Sequence, residues 1–131
     1  MEAELRRIGE HLTKESTSAL EKANSDSDIK RLYEGAYARA SACFALPNSY
    51  SECFKCGEEA LASVKAHTTA TNQVLGAMQR RFKTCIAACG MNQQSYLSDD
   101  LKACMRKCEE RAVEEIQEAV PEIRALARPR N

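Results

Sequence analysis

The chain has 131 residues, enough for one domain, and its 19 basic and 19 acidic side chains cancel. A protein that tracks phosphates would carry a basic excess, so no nucleic-acid partner is expected. The apolar share of 44% supports a core and excludes a disordered tail, and 5 Gly with 3 Pro are too few turn residues for a sandwich or barrel, so an all-α chain is favoured.

Residues 2–23 predict a first helix, because Leu5, Ile8, Leu12, Ala19 and Ala23 recur on one face. Asn24-Ser25-Asp26-Ser27-Asp28 is a break, and Asp26 or Ser27 can cap the next helix. That second helix is predicted over residues 28–45, with Ile29, Leu32, Tyr33, Ala36, Tyr37, Ala40, Cys43 and Phe44 at three- and four-residue steps. Pro47-Asn48-Ser49 stops it.

From Ser51 to Cys89 one heptad pattern runs without a proline. Phe54, Leu61, Thr68, Leu75, Phe82 and Cys89 form one row, and Gly57, Val64, Thr71, Met78 and Cys85 the other. A single long helix with a two-row seam is expected, weakest at Thr68 and Thr71. Gly90-Met91-Asn92-Gln93-Gln94 ends it, with Gly90 just past the last turn. Ser98-Asp99-Asp100 caps a final helix whose apolar face runs from Leu101 to Leu126. Pro121 should kink this helix without ending it, and Arg124, Arg128 and Arg130 suit its carboxyl end. No apolar run approaches the roughly 20 residues of a membrane span. The start, Met1-Glu2-Ala3-Glu4-Leu5, is acidic where a secretory signal would be basic and then apolar, so no cleavable signal is expected.

Seven cysteines lie between Cys43 and Cys108. Cys85-x-x-x-Cys89 and Cys104-x-x-x-Cys108 each place two thiols on one helix face, one turn apart. If the helices fold back antiparallel, Cys89 meets Cys104 and Cys85 meets Cys108, giving two nested rungs. The inner rung closes a loop of about fifteen residues, a constraint of about 3 kcal/mol in the chain-entropy view. Paired disulfides are the favoured reading. A four-thiolate zinc site and reduced core cysteines are the alternatives, and zinc prefers tight knuckles to cysteines in regular helices.

Cys43, Cys53 and Cys56 flank the Pro47 turn at the corresponding place in the first hairpin, making a weak internal repeat. Arg39 stands one turn before Cys43, where a fourth cysteine would be needed. By analogy Cys43 pairs with Cys53, and Cys56 is left as the free thiol. Cys43 with Cys56 is the competing pairing. The two-residue spacing of Cys53 and Cys56 also matches redox motifs, but those work at a helix start beside a strand, and no strand is expected.

His11 and His67, the two histidines, are read as solvated helical residues rather than partners of a cysteine nucleophile. Glu110, Glu114, Glu118 and Glu122 step by four and read as a solvated acidic stripe, with docking to a basic partner as the lesser alternative. In Gln79-Arg80-Arg81-Phe82-Lys83 the charges should point outward and Phe82 inward. No catalytic residue, cofactor or metal ligand is expected.

The twin Cys-x-x-x-Cys hairpin resembles small proteins of the mitochondrial intermembrane space, including the small Tim chaperones. Over about residues 28–120 the chain is most similar to the mitochondrial proteins called "family with sequence similarity 136". Ala40-Ser41-Ala42-Cys43, Cys53 through Leu61, Met78-Gln79-Arg80-Arg81-Phe82-Lys83-Thr84-Cys85 and Leu101 through Cys108 carry the likeness. It departs at Arg39, where that family has cysteine, and at Cys53/Cys56, one residue short of the family spacing. The resemblance implies two stapled hairpins on one central helix and import by an oxidative relay that needs no cleavable presequence. It further implies a place in the intermembrane space, with protein subunits of a larger mitochondrial complex as partners and a peripheral seat at the inner membrane left open.

The expected organisation is an N-terminal helix and linker over 1–27 and a twin helical-hairpin domain over 28–131. Residues 28–45 should lie against the first half of the central helix and 98–127 against the second, both arriving near Ala66–Thr71. The N-terminal helix either packs there or reaches a partner. The expected function is that of a non-enzymatic accessory or assembly subunit of a respiratory or ATP synthase complex. A small-Tim-like chaperone for apolar precursors is the alternative, and a thiol oxidoreductase or metal carrier using Cys53 and Cys56 is the third reading.

Overall fold

The computed structural model of the chain describes residues 2–45, 47–90 and 97–128, and every regular element among them is an α-helix. The helices are α1 (Glu2–Asn24), α2 (Ser27–Cys43), α3 (Tyr50–Ala60), α4 (Ala62–Ala88) and α5 (Asp99–Leu126).

Local chemistry sets the ends. The Asp28 amide donates to Asp26 Oδ1 at 2.9 Å, so Asp26 is the cap of α2. Ser49 accepts from the Glu52 amide at 3.2 Å and starts α3, and Ser98 accepts from Leu101 at 3.1 Å and starts α5. Gly90 comes just after the α4 terminus with φ of +80°, a conformation that costs a residue with a Cβ but not glycine. The rest of the expected stop, Met91–Gln94, lies outside the described residues, as does Arg130.

The expected single helix over 51–89 is two helices, with a bend at Leu61 (φ −89°, ψ 0°). Backbone hydrogen bonds still bridge the bend, from Leu61 N to Gly57 O at 3.1 Å and from Lys65 N to Leu61 O at 3.0 Å. Together α3 and α4 form a rod on the order of 60 Å long. Only one row of the heptad seam is buried: Gly57, Val64, Thr71 and Met78 face inward. The other row is half-buried at best, and Phe54 is 50% exposed.

The second half of the rod carries the core. Antiparallel to it lies α5, and α1 runs parallel to α5 along that helix's own length. Ala19 and Ala23 of α1, Met78 of α4, and Ile116, Ala119 and Ile123 of α5 form one apolar cluster, which Ile29 of α2 also joins. Ile8, Leu101 and Met105 form a second beside the α4 terminus. Each large aliphatic side chain buried here contributes about 1.5–3 kcal/mol. Residues 2–24 are therefore a third wall of the core, packed along α5 rather than at Ala66–Thr71.

The first half of the rod is different. There α2 packs on α3, and the residues buried between them are mainly small: Ala36, Cys43, Cys53 and Gly57. With so little apolar area, this hairpin depends on its covalent staple.

Pro121 sits inside α5, which continues to Leu126. It removes a donor from the Gln117 carbonyl, but both residues are on the exposed side, where water can replace it. Arg124 serves a neighbour more than its own helix. Its Nη2 donates to the Lys22 carbonyl at 2.9 Å, satisfying an acceptor at the end of α1. Its Nε faces Asp26 Oδ2 at 3.9 Å, too far for a hydrogen bond. Arg128 Nε likewise faces Asp28 at 3.8 Å.

Candidate functional site

The four cysteines of the second hairpin converge because α4 and α5 are antiparallel and each presents its pair on one face. Cys85 is bonded to Cys108 and Cys89 to Cys104, with Cα separations of 5.8 Å in both. The rungs are adjacent: Cys89 Sγ lies 3.8 Å from Cys108 Sγ. The sulfurs of Cys89, Cys104 and Cys108 all fall within 4.8 Å of one another. As disulfide sulfurs they offer no thiolate, so metal coordination here would first require reduction.

In the first hairpin the bond joins Cys43 to Cys56, with a Cα separation of 5.7 Å, and Cys53 keeps its thiol. This corrects the pairing of Cys43 with Cys53 and the assignment of Cys56 as the thiol. The reason is how deep each cysteine lies in its helix. Cys104 is six residues past its cap, Ser98, and Cys56 is seven past its cap, Ser49. Cys53 lies too near the start of α3 to fill that rung. Counting one helical turn outward from the Cys43–Cys56 rung, the sequence has Arg39 and Ala60 in the register positions that Cys85 and Cys108 take in the second hairpin. The Cys53 thiol is buried and its Sγ lies 3.8 Å from the Asn48 carbonyl. With Cys56 committed to Cys43, Cys53 and Cys56 are not a dithiol pair.

The histidines also differ from expectation. His67 is 5% exposed and sits where α2, α4 and α5 meet. Its Nε2 is 3.3 Å from the Ile123 carbonyl, and its Nδ1 is 3.3 Å from the Tyr33 hydroxyl, which is also 3.3 Å from Thr68 Oγ1. A carbonyl can only accept, so Nε2 carries the proton in this arrangement. In the neutral ring Nδ1 is then the acceptor, taking the Tyr33 hydroxyl proton, and Tyr33 accepts from Thr68. Ile123 is in the last turn of α5, whose carbonyls lack helical donors, so His67 completes that helix end. The Tyr33 ring meets the imidazole edge-on at 5.8 Å. Both hairpins thus reach the rod at the expected place, and a histidine joins them there.

His11 is half-exposed and paired. Its Nδ1 donates to Glu109 Oε2 at 2.6 Å. Arg7 grips the same carboxylate with two bonds, at 3.0 and 3.3 Å, and holds Glu4 at 2.9 and 3.2 Å. Burial pushes the Glu109 carboxyl up, but the hydrogen bonds from Arg7 and His11, with their charges, outweigh it and hold it below the usual carboxylate range. The hydrogen bond from Arg7 likewise holds Glu4 low. This cluster clasps the start of α1 to α5. By contrast Glu110, Glu114, Glu118 and Glu122 are all exposed.

No family model, curated protein or solved structure matches the chain.

Two surface features remain. Phe44, Tyr50 and Phe54 are half or more exposed at the tip of the first hairpin, with ring centroids 6.3 and 6.1 Å apart. An apolar groove of about 250 Å³ runs between α1 and α4 over α5. Among the described residues no helix is long and apolar enough to cross a membrane.

Proposed function

We propose that the chain is a non-enzymatic, disulfide-stapled protein of the mitochondrial intermembrane space, acting as an accessory or assembly subunit of an inner-membrane respiratory or ATP synthase complex. The observation that carries this reading is the pair of nested rungs, Cys85–Cys108 and Cys89–Cys104, on adjacent turns of one helix hairpin. A twin Cys-x-x-x-Cys hairpin closed this way is what the resemblance to "family with sequence similarity 136" proteins implies, and an oxidising compartment keeps such bonds formed. The remaining side-chain chemistry supports it too. Arg7, His11, Glu109 and His67 are spent on holding helices together.

The exposed rings of Phe44, Tyr50 and Phe54 favour a second reading, a chaperone for apolar precursors like the small Tims. Mitochondria solubilised in gentle detergent and separated under native conditions distinguish the two. Co-migration with a respiratory or ATP synthase complex supports the first. A small soluble oligomer of this chain alone supports the second. Recovery in a reduced cytosolic fraction would sink both.

A further inference from the structure

The groove between α1 and α4 has a consistent build. Both helices pack along α5 yet scarcely touch each other. Leu12 and Leu20 form one wall, Leu75, Met78 and Phe82 the other, and Ile116 the floor. The wall residues span eight positions on α1 and seven on α4, about 10–12 Å, or two helical turns. That length accepts a helix presenting apolar side chains at i, i+3 or i+4, and i+7. The rim is uncharged: Thr13, Ser16 and Thr17 on one side and Gln79 on the other.

Charge makes the groove one-sided. Along its whole length, Ala62–Ala88, α4 holds Lys65, Arg80, Arg81 and Lys83 and no acid. Arg81 is tied to Glu115 of α5 at 3.1 Å. Arg80 and Lys83 do not line the groove but follow its rim residue Gln79 by one and four positions on α4; both are exposed, and among the described residues neither is in an ion pair. α1 carries both signs, so the unbalanced charge comes from the α4 bank.

From this we propose that the groove is a docking site for an amphipathic helix of a partner protein, with an apolar stripe flanked by Asp or Glu on the side that meets α4. The helix completes a four-helix arrangement with α1, α4 and α5. Its apolar side chains enter between Leu12, Leu75 and Phe82, and its acids pair with Arg80 and Lys83. This deepens the assembly-subunit reading and rests on it only in that the chain works by holding another protein.

The test uses the full oxidised chain and three dye-labelled synthetic peptides, each about fifteen residues long. One has leucines at i, i+4 and i+7 flanked by Glu, one has the same leucines flanked by Lys, and one is the Glu peptide with its leucines scrambled. Fluorescence anisotropy should show the Glu peptide binding at least about tenfold more tightly than either other. The Arg80→Glu, Lys83→Glu variant should lose that preference. The Thr17→Trp, Gln79→Trp variant fills the groove from its exposed rim and should lose binding, with an unchanged melting profile verifying its fold.

Equal binding of the Glu and Lys peptides overturns the proposal, as does binding that survives the filled groove or no binding at all. Sedimentation of the chain alone tests the other occupant. A dimer that the filled groove makes monomeric assigns the site to a second copy and overturns the partner helix. A chain that co-migrates with a respiratory complex but binds none of the peptides keeps the assembly reading and loses this one.

Discussion

His67 Nε2 on α4 lies 3.3 Å from the Ile123 carbonyl oxygen on α5, and this contact closes the end of one helix with a side chain from another. Removing the imidazole leaves a last-turn carbonyl facing a small apolar gap. His67→Ala should therefore cost about 1–3 kcal/mol in thermal or denaturant unfolding. Tyr33→Phe should cost about 1 kcal/mol, since it removes the hydroxyl that meets Nδ1 and Thr68 but leaves the ring in place. Because the two share one hydrogen-bond chain, the double variant should lose less than the sum of the singles. Strict additivity would contradict the chain of bonds through Nδ1.

The clasp at Glu109 predicts a pH dependence. A carboxyl held below its ordinary value binds its proton less readily folded than unfolded. Its contribution to stability is therefore complete above the unfolded value, about 4.3, and is lost as pH falls through the lower folded value. Glu109→Gln should cost about 1–2 kcal/mol at neutral pH, discounted because Arg7 is half-exposed. It should also flatten the stability profile below pH 4 relative to the unsubstituted chain. The exposed Glu110→Gln should change stability by less than about 0.5 kcal/mol. Amide exchange should show the start of α1 opening first in acid.

The first hairpin should be the redox-sensitive arm. It buries little apolar area, and its one disulfide closes a loop of about thirteen residues, worth about 3 kcal/mol in the chain-entropy view. Cys43→Ser and Cys56→Ser should each raise amide exchange across α2 and α3 while leaving α1, α4 and α5 protected. Cys53→Ser should keep α2 and α3 protected, because the rung remains. If Cys53→Ser opened the hairpin as far as Cys56→Ser does, the assignment of the rung would be wrong.

Thr71 lies in the buried row of the rod, and among the described residues its hydroxyl finds no hydrogen-bond partner. Thr71→Val keeps the branched shape and removes the stranded oxygen. It should stabilise the fold by about 1–2 kcal/mol, measured as a raised melting temperature.

Much of this architecture is legible in the residues. Asp26, Ser98 and Gly90 announce helix ends by chemistry that acts within a few residues, and the four-residue cysteine steps match the helical period. Less legible is whatever depends on how two helices are offset. The partner of Cys43 depends on where α3 starts, and the signal for that is Ser49 with Glu52 three residues on. Phe54 and Gly57 occupy equivalent rows in the pattern, yet only Gly57 is inside, since periodicity does not say how wide the buried face is. His67 lies in a run of Ala and Thr with no pattern of its own. It becomes a junction only when Tyr33 and the last turn of α5 arrive beside it. Glu109 and Glu110 differ by one position, and the arrival of Arg7 and His11 on α1 decides which carboxylate is buried.

The most direct measurement is disulfide mapping of the non-reduced, alkylated chain by tryptic digestion and mass spectrometry. Cleavage after Lys55 separates Cys53 from Cys56. The peptide holding Cys43 and Cys53 should be cross-linked to the one beginning at Cys56, with the alkyl label on Cys53 after unfolding. Fragmentation between Cys85 and Cys89 should assign Cys85 to Cys108 and Cys89 to Cys104. A label on Cys56 with Cys43 bridged to Cys53, or four labels among Cys85, Cys89, Cys104 and Cys108, would contradict the stapled architecture proposed for this chain.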